Sequence, residues 1–232
     1  MKFVDLGVEF PEIVQDNSGP IRVYTDGTPE AKYPSVTTIL SASASEETKK
    51  ILEDWRKRIG DKQADVISAR GRQRGTKVHQ LIEDFYCSPE NFRIESVMPH
   101  VVGGFNSIKT AMENYVESIC FFEKNLISHA LKVGGRVDCV GFLKTGGLSI
   151  IDFKTSRRIK KPEDCYDYFV QTAIYGLMMN ELLERQQIQF RVEKITIIMA
   201  VDDFIQPLVF IDDLSCWDNR AKTIIQHYWE SK

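Results

Sequence analysis

The sequence lacks the features that mark membrane and secreted proteins. No stretch approaches the roughly 18 consecutive apolar residues that a membrane-spanning helix requires. The segment from Met1 to Pro11 mixes acidic and apolar residues, so it resembles neither a signal peptide nor an arginine-rich transit peptide. We therefore expect a cytoplasmic protein that has no targeting peptide and no membrane partner.

Cysteine pairs at metal-binding spacing are also absent. None of the 5 cysteines is arranged as Cys-x-x-Cys, and they are scattered at Cys87, Cys120, Cys139, Cys165 and Cys216. Ligands of zinc and of iron–sulfur clusters usually come in such close pairs. The pattern predicts reduced thiols and no iron–sulfur cluster.

The chain has no excess of positive charge. Its 30 lysines and arginines face 33 acidic residues, which gives a net charge of −3. A nucleic-acid partner would therefore have to be bound by a local basic patch. Repeats and long linkers are absent as well, and 232 residues with 43% hydrophobic content can bury one core. We expect a single domain over residues 1–232, with strands and helices in 1–119 and a sheet with helices in 120–232.

Local patterns change from strand-like to helical after about residue 40. Ser43 opens a Ser-Ala-Ser-Glu sequence, which has the spacing of a capping box at the start of a helix ending at Gly60. Gly71 and Gly75 favour an interruption of the helical pattern that follows. Thr76 can then cap a separate helix.

Strand-like patterns dominate the middle of the chain, at residues 121–127, 131–143 and 148–155. A long helix at 162–185 follows, then strands at 195–201 and 206–211 and a closing helix at 215–229. This order predicts an α/β (mixed α+β) fold with a central mixed β-sheet flanked by helices.

Charged residues lie in two neighbouring strands of this predicted sheet. Asp152 and Lys154 alternate with apolar residues, so both point to one face, and the preceding strand can place Asp138 beside them. Two carboxylates held together repel each other and a substrate phosphate, whereas a divalent cation reverses both effects. Asp138, Asp152 and the backbone carbonyl of Phe153 are hard oxygen ligands suited to Mg²⁺ or Mn²⁺, and His79 could add an imidazole. The neighbouring Lys154 could orient an attacking water.

A set of motifs resembles the RecB-like branch of the PD-(D/E)XK nucleases. The pattern consists of Asp138, then Asp152-Phe153-Lys154, then Gln171-Thr172-Ala173-Ile174-Tyr175. Upstream, Arg74-Gly75-Thr76-Lys77-Val78-His79 is similar to the Gly-Thr-x-x-His form of that branch. Residues 33–40 and 55–58 extend the resemblance to the mitochondrial genome maintenance exonuclease family and its phage and bacterial relatives.

The resemblance implies a PD-(D/E)XK nuclease fold with an arch-like helical region near the N-terminus. It implies that His79, Asp138 and Asp152 bind the metal, that Lys154 is catalytic, and that Gln171 and Tyr175 support the active site and the DNA. The implied activity is exonucleolytic hydrolysis of DNA, preferably single-stranded with a free end, in replication, recombination or repair in a bacterial or phage-infected cell. An endonuclease or junction resolvase of the same fold, and an inactive nucleic-acid-binding module, remain alternatives.

Basic residues are clustered at a few places in this slightly acidic chain. Such groups are either a solvated face or a track for the phosphate backbone, beside which aromatic side chains can stack on bases. The candidate DNA-binding residues are Trp55, Arg56, Arg70, Arg72, Arg74, Lys77, Arg157 and Arg158.

Overall fold

A computed structural model describes residues 1–202, 204 and 206–232. The chain opens with the short strands β1 (Lys2–Phe3), β2 (Val14–Asp16), β3 (Val23–Thr25) and β4 (Tyr33–Pro34). Strands β2, β3 and β4 form a small antiparallel sheet with β3 in the middle.

Helices follow over the next 80 residues or so: α1 (Val36–Ala42), α2 (Glu46–Ile59), α3 (Asp61–Cys87) and α4 (Pro99–Tyr115). The predicted cap at Ser43 is wrong, because Ser43 lies at the end of α1 and donates its backbone N–H to the carbonyl of Ile39. The cap of α2 is Ser45, whose hydroxyl accepts a hydrogen bond from the backbone N–H of Thr48 at 3.1 Å. Gly60 ends α2 as predicted.

The predicted interruption at Gly71 and Gly75 is also wrong. Helix α3 runs for 27 residues through both glycines. A glycine inside a helix costs only about 1 kcal/mol relative to alanine. Packing offsets that cost, because Val78 and Ile82 of α3 are fully buried against α4 and the central sheet.

The rest of the chain is β5 (Val116–Ser128), β6 (Val133–Leu143), β7 (Leu148–Ser156), α5 (Tyr166–Arg185), β8 (Val192–Val201), β9 (Leu208–Asp213) and α6 (Asp218–Glu230). The large sheet has the strand order β1-β5-β6-β7-β8-β9. Strands β5, β6 and β7 form an antiparallel meander, β8 pairs parallel to β7, and β1 pairs parallel to β5. The predicted mixed α/β fold with a central mixed sheet is confirmed.

Hydrophobic clusters cover both faces of this sheet. One cluster joins the sheet to α1, α5 and α6, and the other joins it to α3 and α4. Along β7, Ile150 belongs to the first cluster, whereas Ile151 and Phe153 belong to the second. Because strand side chains alternate, Asp152 and Lys154 point to the α5 side. None of the described helices has the length and apolarity to span a bilayer.

Candidate functional site

The adjacent strands β6 and β7 place Asp138 next to Asp152. Cys139 pairs with Ile151 in the antiparallel register, so Asp138 and Asp152 come one position further along. There the Asp138 carboxylate accepts a hydrogen bond from the backbone N–H of Phe153 at 2.8 Å. The local sheet register therefore sets the separation of the predicted carboxylates.

His79 reaches this point from α3. Its Nε2 atom donates a hydrogen bond to the Phe153 carbonyl at 3.0 Å. Its Nδ1 atom lies 3.5 Å from an oxygen of Asp138 and 3.7 Å from an oxygen of Glu123. Burial lowers the pKa of His79, but the Asp138 and Glu123 carboxylates outweigh burial and raise the pKa to about 10. In this arrangement the imidazolium partly neutralises the acidic cluster, and a metal ion would have to displace its proton.

Glu123 is a residue of this site that the sequence prediction missed. It lies on β5 between the pairs Phe122–Cys139 and Lys124–Val137, and therefore opposite Asp138. Its backbone has a φ of +50°, a left-handed conformation that costs of order 1 kcal/mol or more in a non-glycine residue. One available signal was a lone carboxylate after the apolar run Ile119-Cys120-Phe121-Phe122.

The described residues contain one group of histidine and acidic side chains with metal-binding geometry. It consists of His79, Glu123 and Asp138, whose ligand atoms all lie within 4.8 Å of one another. Asp152, which the sequence placed in the metal set, is not a member of this group. Glu123 also forms an ion pair at 2.6 Å with Nε of Arg136, so its carboxylate lies between a histidine and an arginine.

Asp152 forms an ion pair with Lys154 on the same face of β7. The Asp152 side chain is 2% exposed, and its Oδ2 atom contacts the Lys154 ammonium without the angles of a hydrogen bond. Burial raises the pKa of Asp152, and although Lys154 opposes the rise, the pKa reaches about 6. Asp138 behaves in the opposite way, because His79 and Lys154 outweigh its burial and lower its pKa. A buried carboxylate oxygen without a hydrogen-bond donor can still coordinate a cation.

These donors fit a small hard cation. Carboxylate oxygens and an imidazole are suitable ligands for Mg²⁺ or Mn²⁺. The Phe153 carbonyl, the other predicted ligand, accepts the His79 hydrogen bond in this structure. The structure thus brings His79 and Asp138 together with Glu123, whereas Asp152 pairs with Lys154.

Gln171 and Tyr175 approach the cluster from α5. The Gln171 amide donates a hydrogen bond to the Tyr175 hydroxyl at 3.4 Å. Burial raises the pKa of Tyr175, so its phenol stays neutral. Gly135 on β6 permits this packing, because a Cβ atom there would lie 2.5 Å from Cε1 of the Tyr175 ring. A cavity of about 280 Å³ is lined by His79, Glu123, Asp138, Lys154, Gln171 and Tyr175, among others.

Most of the predicted basic residues lie around a different cavity. It has a volume of about 1290 Å³ and is lined by Arg70, Arg72, Arg74, Lys77 and Arg157, among others. Arg74 donates hydrogen bonds to both oxygens of Asp202, at 2.6 and 2.5 Å. The lining does not include Trp55, Arg56 or Arg158, and Arg56 forms ion pairs with Asp61 and Asp65 of α3.

The mixed sheet and its acidic cluster define an α/β protein with a candidate divalent-metal site. Residues 89–201 match the family model of the PD-(D/E)XK nuclease superfamily, and this match supports a nuclease-superfamily domain in the chain. The matched segment contains Glu123, Asp138, Asp152 and Lys154, whereas His79 lies before it. A domain of this superfamily suggests a metal-dependent nuclease.

No curated protein matches the chain. Among solved structures, that of SSO0001 is similar with a TM-score of 0.33 and 14% sequence identity, over 68% of this chain and 74% of that one. A similarity at this level carries no argument about function.

Proposed function

We propose that the protein is a Mg²⁺- or Mn²⁺-dependent deoxyribonuclease that hydrolyses phosphodiester bonds from a free end of single-stranded DNA. The observation that carries the proposal is the grouping of His79, Glu123 and Asp138 within 4.8 Å, in a cavity that Lys154 also lines. The residue types and their spacing support cleavage of a phosphodiester bond, since a metal with a nearby lysine suits that reaction. We also propose that residues 1–232 act as one nuclease domain.

The proposed metal ligands are side chains and one backbone carbonyl of the candidate site. His79, Asp138 and Asp152 would hold the metal, with the Phe153 carbonyl as a further ligand and Glu123 as an additional carboxylate. When bound, the metal polarises the phosphoryl oxygen and makes a water molecule a better nucleophile. The Phe153 N–H orients Asp138 through the 2.8 Å hydrogen bond, which fixes one ligand before the metal binds.

Lys154 is the proposed catalytic cation. Its side chain is 18% exposed and lines the 280 Å³ cavity. Burial lowers the pKa of Lys154, but the Asp152 and Asp138 carboxylates outweigh burial and raise it. The ammonium therefore stays charged at neutral pH, where it can position a water molecule and offset negative charge on the phosphate.

Gln171 and Tyr175 would support the active site and the DNA. The neutral Tyr175 phenol can donate a hydrogen bond to a phosphate oxygen, and Gln171 holds that hydroxyl at 3.4 Å. The arrangement of His79 on α3 and of Gln171 with Tyr175 on α5 supports placement in the RecB-like branch, near the mitochondrial genome maintenance exonuclease. The cavity lined by Arg70, Arg72, Arg74, Lys77 and Arg157 supports DNA binding, because these cations lie together in a chain of net charge −3.

Digestion of labelled DNA tests the proposal. Linear single-stranded, linear double-stranded and circular single-stranded DNA are incubated with Mg²⁺, Mn²⁺ or a chelator. We expect metal-dependent release of short products from linear single strands and little cutting of the circle. Rapid cutting of the circle would instead indicate an endonuclease, and DNA binding without products in any metal would indicate an inactive binding module.

A further inference from the structure

A second cavity adjoins the catalytic one on the side of the N-terminal sheet. It has a volume of about 500 Å³ and shares Arg22 and Thr37 with the 280 Å³ cavity around His79 and Lys154. These two residues therefore form a common wall. Among the residues that the structure describes, the larger basic cavity shares no lining residue with the catalytic cavity. Arg70 and Lys77 of the basic cavity lie on the side of α3 turned away from His79.

The lining of the adjoining cavity is polar and carries positive charge. Helix α1 contributes the hydroxyls of Thr37, Thr38 and Ser41, and no acidic side chain is among the described lining residues. The Thr37 and Thr38 hydroxyls lie 3.0 and 2.7 Å from Oγ of Ser35, which orients them. Hydroxyl donors beside a guanidinium suit a phosphate group.

Arg22 has unused hydrogen-bonding capacity. Its Nε atom donates to Asn17 at 3.2 Å, and its guanidinium also acts on the Tyr24 phenol, whose pKa it lowers against the larger effect of burial. The Arg22 side chain is exposed. Its terminal nitrogens are therefore available for a bidentate contact with phosphate oxygens.

The N-terminal sheet packs against β6, the strand that carries Asp138. Ser35 forms a β-bridge with Gly134 of β6, and the backbone N–H of Ser35 donates to the Arg22 carbonyl at 2.9 Å. Gly134 makes room for Tyr24, since a Cβ atom at Gly134 would lie 2.3 Å from Cβ of Tyr24. Arg22 is thus held at a defined place relative to Asp138, four residues beyond Gly134 on β6.

We propose that Arg22 and the hydroxyl face of α1 bind the DNA backbone next to the scissile phosphate, with Arg22 contacting the adjacent phosphate. This inference rests on the proposed nuclease function. The contributing residues precede the segment 89–201 that matches the superfamily model. The subsite recognises charge and spacing, and the bases play no part in it.

Substrates with single neutral phosphates test the contact. Each short single-stranded oligonucleotide in a set carries one methylphosphonate, placed on one side or the other of the cleavage position. Single-turnover rates on these substrates are compared for the unaltered protein and Arg22→Ala. We expect Arg22→Ala to lower kcat/KM about tenfold, which is the scale of one charge-assisted hydrogen bond. A methylphosphonate at one position should lower the rate of the unaltered protein about tenfold. The same substitution should not lower the rate of Arg22→Ala any further.

Matched controls separate this contact from a general loss of activity. Arg93→Ala removes an exposed arginine that hydrogen-bonds only to carbonyls of its own loop among the described residues, and it should behave as the unaltered protein. Hydrolysis of bis(p-nitrophenyl) phosphate, which has no adjacent phosphate, should fall much less in Arg22→Ala than hydrolysis of the oligonucleotide. Equal oligonucleotide kinetics in Arg22→Ala and the unaltered protein would overturn the subsite.

A binding experiment tests the contact between Arg22 and DNA without relying on catalysis. The affinity for a labelled oligonucleotide is measured by fluorescence anisotropy in Ca²⁺, and Arg22→Ala should bind about tenfold more weakly. If the unaltered protein hydrolyses neither substrate, the proposed nuclease function fails. Equal affinities in this assay would refute the Arg22 contact in either case.

Discussion

Glu123 faces His79 across 3.7 Å, while its second carboxylate oxygen forms a 2.6 Å ion pair with Nε of Arg136. Glu123 is in this position because β5 and β6 are paired and its backbone is left-handed at φ +50°. The carboxylate therefore belongs to the candidate metal site although 44 positions separate it from His79 in the chain (123 − 79).

The Glu123→Gln variant should bind metal more weakly. The amide keeps the size of the side chain but lacks the charge that attracts a dication, so we expect at least about a tenfold loss of Mn²⁺ affinity. Isothermal titration with Mn²⁺ measures the change. Glu117→Gln, at an exposed position of the same strand, is the control. Unchanged Mn²⁺ affinity in Glu123→Gln would exclude this carboxylate as a ligand.

Asp138 and Asp152 should affect the stability of the metal-free protein in opposite directions as pH changes. The folded pKa of Asp152 is raised to about 6, so its ionisation costs stability as pH rises from about 4 to 6. The folded pKa of Asp138 is lowered, so its contribution is present above pH 4 and is lost as pH falls further.

Urea denaturation in a chelator checks this contrast. From pH 4 to 7, the free energy of unfolding of the unaltered protein should fall relative to Asp152→Asn. The free energy of unfolding of the unaltered protein should stay above that of Asp138→Asn across this range. The two values should converge only at lower pH. Parallel pH profiles for the two variants would contradict the assignment.

The Lys154→Ala variant should lose turnover while it keeps DNA affinity. Removing a positioned cation from a phosphoryl-transfer site costs about 10²–10³-fold in rate. Single-turnover cleavage in Mg²⁺ and anisotropy binding in Ca²⁺ measure the two effects separately. Lys222→Ala, on the exposed side of α6, should retain both. Substantial cleavage by Lys154→Ala would remove this lysine from the mechanism.

The Gly135→Ala variant should disturb Tyr175. Its new Cβ atom would lie 2.5 Å from the Tyr175 ring, so the ring must move, and overpacking of this kind costs about 1–3 kcal/mol. Gly103→Ala is the matched control, because its Cβ atom would meet nothing within 4 Å and alanine favours the helix α4. Urea denaturation should show a loss of stability for Gly135→Ala alone. Equal stability of the two variants would contradict the close packing.

Neutralising the larger basic cavity should weaken DNA binding without sequence preference. Lys77→Ala and Arg157→Ala each remove a cation from its wall. If each contacts one phosphate, each should reduce the slope of log affinity against log salt by about 1. Anisotropy titrations across a salt series measure the slope, with Lys222→Ala as the reference. Slopes equal to that of the unaltered protein would show that the cavity does not contact the DNA backbone.

Local patterns in the sequence were sufficient for several parts of the site. Asp152 and Lys154 share a face because strand side chains alternate, and Gln171 lies one helical turn from Tyr175. The mixed sheet followed from the order of strand and helix patterns. These features depend on neighbouring residues, so they can be read along the chain.

Tertiary contacts decided the rest. Helix α3 continues through Gly71 and Gly75 because burial of its apolar face offsets the cost of the glycines. Glu123 joins His79 and Asp138 only through the pairing of β5 with β6 and the packing of α3 against the sheet. Arg22 reaches the 280 Å³ cavity because the N-terminal sheet docks on Gly134. The sequence by itself determined the chemical groups and their local faces, whereas long-range packing determined which groups meet, because such packing depends on the whole folded chain.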